Sequence, residues 1–184
     1  MGRFLKIALP LKDTLVIVPE VYTDHRGYFI ETYNLRYFKE IGINLEFVQD
    51  NESKTLKAGT IRGLHYQIAP MGQAKLVRCV KGAIFDVIVD IRPWSPTFGR
   101  WTGVYLNEEN HKQILVPVGF AHGFQSLVDD VVVIYKVSQL YSKEHDRAIR
   151  WNDPEIGISW PIDNPILSEK DRNAPLLKDA EIRF

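Results

Sequence analysis

The segment 61–67 reads Ile-Arg-Gly-Leu-His-Tyr-Gln, with a histidine two residues beyond a glycine. In an extended chain side chains alternate between faces, so His65 shares a face with Gly63 and Gln67 while Arg62, Leu64 and Tyr66 point the other way. The missing Cβ at Gly63 leaves room for a ligand to approach the backbone beside an imidazole. Imidazoles titrate near pH ~6.5, which suits such a group to proton abstraction in neutral solution. On these residues alone a hydrogen-bonded structural histidine is the plainer account. A second histidine, His122, lies between Gly119 and Gly123 in the apolar run 116–124, and structure and site are equally good readings of it. Lys75 shares a strand face with Val77 and Cys79, where a cation needs an anionic partner or a site opening, unless it snorkels at the strand end. Tyr135 falls on one face with Val133 and Val137; a buried phenol is usually core with one satisfied hydroxyl. Asp171, in Leu-Ser-Glu-Lys-Asp at 167–171, reads first as a turn residue or helix cap. If it reached a histidine, it would fix the tautomer and leave the other ring nitrogen basic.

Other chemistries lack their signatures. The histidines at 25, 65, 111, 122 and 145 form no H-x-H or H-x-x-x-H pair, and Cys79 is the sole cysteine, so no metal is expected. There is no Gly-rich dinucleotide or phosphate loop and no G-x-S-x-G elbow. Lys plus Arg and Asp plus Glu both number 23, a balance that favours neither nucleic acid nor an anionic membrane. A single cysteine excludes an intramolecular disulfide and suits a reducing compartment, and no apolar run nears the roughly 18 residues of a bilayer span. The expectation is a cytoplasmic protein, with neither nucleic acid nor membrane as partner.

The elements that would position these side chains are mostly strands. Residues 84–91 place Phe85, Val87, Val89 and Ile91 on one face and Asp86 and Asp90 on the other, the period of a strand with one face in a core. Residues 76–80, 113–116 and 131–137 are also strand-like, with turn signals between them. A helix is predicted where Asn34 can cap Leu35, Phe38 and Ile41 and Gly42 can close them. Pro154, Pro161, Pro165 and Pro175 argue against long helices in the tail. Over 184 residues, 45% of them hydrophobic, this predicts one domain spanning 1–184, a mostly β sandwich or barrel with a few short helices.

In order and spacing, the strings at 24–32 (DHRGYFIET), 47–51 (FVQDN), 61–67 (IRGLHYQ), 74–78 (AKLVR), 116–124 (VPVGFAHGF), 134–137 (IYKV), 147–161 (RAIRWNDPEIGISWP) and 167–171 (LSEKD) resemble the dTDP-4-dehydrorhamnose 3,5-epimerase family over nearly the whole chain. The resemblance implies a cupin-type β jelly roll. It also implies an isomerase that inverts carbons 3 and 5 of dTDP-4-dehydro-6-deoxy-D-glucose by proton abstraction and return, with no cofactor, usually as a homodimer. By the same resemblance, His65 corresponds to the general base, Asp171 to its carboxylate partner, Tyr135 to the general acid, and Lys75 to a group beside the developing enolate. His122 corresponds to a sugar contact. Arg26, Glu31, Gln49, Asn51, Arg62, Asp146 and Lys170 correspond to nucleotide-diphosphate contacts, and Tyr141 to a stacking partner for thymine. The chain departs from the family's common pattern at Lys143, usually Pro, and Asp146, often Glu. A single-site epimerase, a non-catalytic sugar-nucleotide binder and a metal-dependent cupin are the alternatives.

Overall fold

Runs rich in β-branched and aromatic residues, punctuated by Gly, Pro, Asn and Asp, form extended chain because such side chains pack well on a pleated surface. A computed structural model, which describes residues 3–184, has thirteen strands, most of them built from such runs. Strands β1 (Phe4–Ala8), β2 (Leu15–Pro19), β10 (Gln113–Val116), β7 (Lys75–Lys81), β12 (Val131–Val137) and β5 (Gln49–Thr55) lie in that order in a six-stranded sheet. Strands β13 (Asp146–Ala148), β6 (Ile61–Gln67), β11 (Phe120–Ser126), β8 (Ala83–Asp90) and β9 (Trp101–Asn107) form a five-stranded sheet. The hairpin of β3 (Val21–Asp24) and β4 (Gly27–Ile30) stands apart from both. All the strand pairs are antiparallel. The result is the predicted jelly-roll sandwich of mostly β structure.

Three apolar clusters hold the layers. Between the sheets, Val77, Cys79, Ile84, Ile88, Ile114, Phe120, Phe124 and Val133 are buried together. On the far side of the five-stranded sheet, Leu64, Tyr66, Phe85, Val87 and Val89 are covered by the tail through Ile149, Ile156, Leu177 and Phe184. On the far side of the six-stranded sheet, Ile17, Leu76 and Leu115 are covered by Phe38 of helix α1 (Leu35–Glu40). Asn34 caps that helix as predicted, its Oδ1 accepting from the backbone of Arg36 at 3.0 Å and Tyr37 at 3.3 Å.

One expectation is corrected. The strand at 84–91 has both faces in a core and not one: β8 is buried on both sides, and the carboxylates of Asp86 and Asp90 are fully enclosed. The apolar face of β8 packs under the tail, and the face carrying the aspartates looks into the sandwich. Asp90 is satisfied there by Arg92, Ser95 and Thr97, which hold it down to about 2 against the cost of burial.

The close approach of β6 and β11 depends on two glycines. A Cβ on Gly63 would sit 2.5 Å from the Gly123 Cα, and one on Gly123 would sit 3.0 Å from the Gly63 Cα. The ladder shifts register between His122 and Phe124, across from this contact.

Candidate active site

The β6–β11 ladder sets His65 directly opposite His122, so the two imidazoles share one inward face. Across the sandwich, β12 pairs Tyr135 with Asn51 of β5 and with Val77 of β7, and pairs Val137 with Lys75. The two sheets therefore present His65 and His122 from one side and Tyr135 and Lys75 from the other. All four line a cavity of about 460 Å³ together with Asp171, Arg62 and Lys170. Sites carried on paired strands are held more rigidly than sites on loops.

Asp171 belongs to α2 (Glu169–Arg172), a single turn capped by Ser168, whose Oγ accepts from the Asp171 N–H at 3.1 Å. Asp171 is thus neither the turn residue nor the cap; it is buried and meets His65. Its Oδ1 lies 2.5 Å from His65 Nε2. Burial opposes charge on this carboxyl, but His65, Ser168 and the Gly63 backbone together hold it below the ordinary carboxylate range. An ionised Asp171 accepts from Nε2–H, which leaves the lone pair on His65 Nδ1.

His122 has its own carboxylate. Its Nε2 lies 3.0 Å and 2.9 Å from the two oxygens of Asp86. Burial pushes the Asp86 carboxyl up, while His122 and Lys75 pull against that rise. Lys75 is nearly enclosed, and burial lowers its ammonium to about 8 despite Asp146 and Asp86 nearby. Its Nζ donates to the His65 carbonyl at 3.4 Å. Burial raises the Tyr135 phenol, with Arg62 opposing, so it remains a neutral proton donor through the physiological range.

The cavity continues into a smaller one of about 160 Å³ that shares His65, Lys75, Tyr135 and Lys170. Here five of the predicted binding residues form one polar web. Gln49 donates to Asn51 at 2.8 Å and accepts from the Tyr141 backbone at 3.1 Å. Tyr141 Oη and Lys170 Nζ both donate to Asp146, at 3.3 and 2.5 Å. Arg62 stands at the opposite end. Strict alternation would turn it away from His65, yet it lines the larger cavity and bonds across the cleft to Thr55 Oγ1 and the Lys54 carbonyl, each at 3.0 Å. The register shift beside it accounts for this departure.

Arg26 and Glu31 are not brought to this place. Arg26 pairs with Asp24 within the β3–β4 hairpin, Glu31 accepts from Asn34, and neither lines the two cavities. Asp86 is the residue that sequence reasoning missed; an acidic residue inside an otherwise apolar strand was the available signal. Among the described residues, no three His, Cys, Asp or Glu side chains converge as a metal site. Nor is any helix there long and apolar enough to cross a membrane.

Lys75 gives the site a checkable pH response. If its ammonium acts on the substrate, kcat/KM falls as pH rises through about 8, where the free enzyme loses that charge. Lys75→Met is expected to remove this alkaline limb along with most activity. A wild-type profile flat to pH 10 would show that Lys75 charge is not used.

Residues 8–179 match the family model described as dTDP-4-dehydrorhamnose 3,5-epimerase. The chain is 51% identical over 176 residues to the dTDP-4-dehydrorhamnose 3,5-epimerase of Shigella flexneri, covering 95% of this chain and 97% of that protein. Among solved structures, it superposes on the Bacillus anthracis enzyme with TDP and pyrophosphate bound at TM-score 0.92 and 48% identity, covering 94% and 99% of the two chains. The Legionella pneumophila enzyme in complex with dTDP-4-keto-L-rhamnose gives TM-score 0.94 at 40% identity over 99% of each chain.

Proposed function

This chain belongs to the dTDP-4-dehydrorhamnose 3,5-epimerase family, and from that premise we propose that His65, Asp171 and Tyr135 perform its reaction. The reaction is the cofactor-independent epimerisation of dTDP-4-keto-6-deoxyglucose at carbons 3 and 5, giving dTDP-4-keto-L-rhamnose. The ketone at carbon 4 acidifies the hydrogens on both neighbouring carbons. His65 Nδ1 takes one of them, and Asp171, bonded at 2.5 Å, stabilises the imidazolium that forms. The electron pair left on carbon moves to the carbonyl oxygen as an enolate. Lys75, with His122 oriented by Asp86, stabilises that oxygen; one such donor is worth roughly 3 kcal/mol in comparable holes. Tyr135 then delivers its phenolic proton to the opposite face, and exchange with solvent resets both groups before the second carbon reacts.

The observation that carries this reading is the wall-to-wall placement of a carboxylate-paired imidazole and a neutral phenol in one cavity. The polar web of Gln49, Asn51, Tyr141, Asp146 and Lys170 holds the nucleotide and its diphosphate, and Arg62, at the opposite end, faces the hexose. Arg26 and Glu31 complete the site from a second copy of the chain. The exposed aromatics Tyr28 and Phe29 on their hairpin support such a homodimer. The test is incubation with dTDP-4-keto-6-deoxyglucose in deuterated water, read by NMR. Deuterium is expected at carbons 3 and 5; bound substrate that exchanges at neither carbon would refute the reading.

A further inference from the structure

We propose that Ser53 is a positioning residue whose hydroxyl holds the hydroxyl at carbon 2 of the bound hexose; this rests on the catalytic reading of the cavity given above. The Ser53 Oγ is shielded from solvent and has no hydrogen-bond partner among the described residues. Buried side-chain polar atoms without a partner are uncommon in folded proteins, and this one lines the wall of the larger cavity. On β5 it pairs across the ladder with Val133, two residues from the Asn51–Tyr135 pair. Along an extended strand that places it roughly 7 Å from Asn51 and about 13 Å from Gln49. It therefore belongs to the reacting end of the cavity and not to the Gln49–Tyr141 end. Arg62, tied to Thr55 and Lys54, closes the cleft beside it.

The chemistry of the neighbourhood chooses the ligand group. The cavity also holds the cations Arg62, Lys75 and Lys170, but Ser53 itself is a neutral hydroxyl paired with Val133, and it suits an alcohol better than a phosphate. Within the hexose, carbons 3 and 5 invert, carbon 4 carries the ketone, carbon 6 is a methyl and carbon 1 bears the diphosphate. The carbon-2 hydroxyl is the one alcohol that keeps its configuration through both inversions. A neutral serine that can both donate and accept is a suitable fixed anchor for it. Holding carbon 2 steadies the ring while its neighbours change hand.

The experiment compares wild type, Ser53→Ala and Ser53→Thr with dTDP-4-keto-6-deoxyglucose and its 2-deoxy analogue, alongside affinity for dTDP alone. The wild type is expected to favour the parent substrate by about tenfold or more in kcat/KM. Ser53→Ala should lose a similar factor on the parent, with its discrimination between the two substrates abolished. Ser53→Thr, which retains a hydroxyl, should keep part of the preference, and dTDP affinity should stay within about twofold throughout. Undiminished discrimination in Ser53→Ala overturns the proposal. So does an equal loss of dTDP affinity, which would place the contact on phosphate. A wild type that exchanges no proton from bound substrate sinks the catalytic reading itself, an outcome visible before any variant is made.

Discussion

Asparagine in place of His65 is expected to lower turnover by about a thousandfold and to abolish deuterium incorporation at both carbons, with little change in KM. General bases contribute roughly 10²–10⁴ in rate. The loss does not fall to the lower end of that range because no other residue in the cavity pairs an imidazole with an ionised carboxyl on the reacting side. His122, the other imidazole, has its Nε2 engaged by Asp86, whose own carboxyl burial drives toward the neutral form. Asp171→Asn is the companion variant. An amide at this position can donate to Nε2 and turn the ring to the wrong tautomer, for which losses of up to about 10⁴ are known in analogous triads. Both variants should bind dTDP like the wild type, because neither residue belongs to the Gln49–Tyr141 web. Exchange that continues at either carbon in the His65 variant would move the base elsewhere.

The second large effect is at Tyr135, and it separates two events that the wild type performs together. Tyr135→Phe keeps the ring that packs against the central core and removes only the phenolic proton. The base, Lys75 and the His122–Asp86 pair remain, so carbon-bound hydrogen should still wash out into deuterated water. Return to the opposite face should slow by about 10²–10³, leaving substrate that is labelled but not inverted. NMR of the recovered sugar distinguishes the label from the inversion. If label and inversion decline by the same factor, Tyr135 assists proton removal and is not the returning acid.

How far these assignments could be read from residue order depends on the distance over which each signal acts. Strand alternation is local, and it placed His65, Lys75 and Tyr135 on the faces they occupy. The Asn34 cap and the helix it starts are equally local. Asp86 was misplaced because a period of two tells one face from the other but not which faces are wet, and in a sandwich covered by its own tail both are dry. Arg62 escaped alternation because a register shift is a property of two strands and cannot be read from one. The meeting of Asp171 with His65 spans 106 residues, and no spacing rule reaches that far; only likeness to a known family pointed to it. Arg26 and Glu31 lie outside the cavity because the β3–β4 hairpin stands apart from both sheets, a tertiary arrangement that no local pattern states.

That 106-residue separation also bears on how activity returns after unfolding. The dyad exists only when a turn near the end of the chain has docked on a strand from its first half. Chain closures of this length are slow compared with helix or hairpin formation. Regained catalysis in a refolding experiment should therefore lag the recovery of β-sheet circular dichroism, making turnover a stricter gauge of native assembly than spectroscopy.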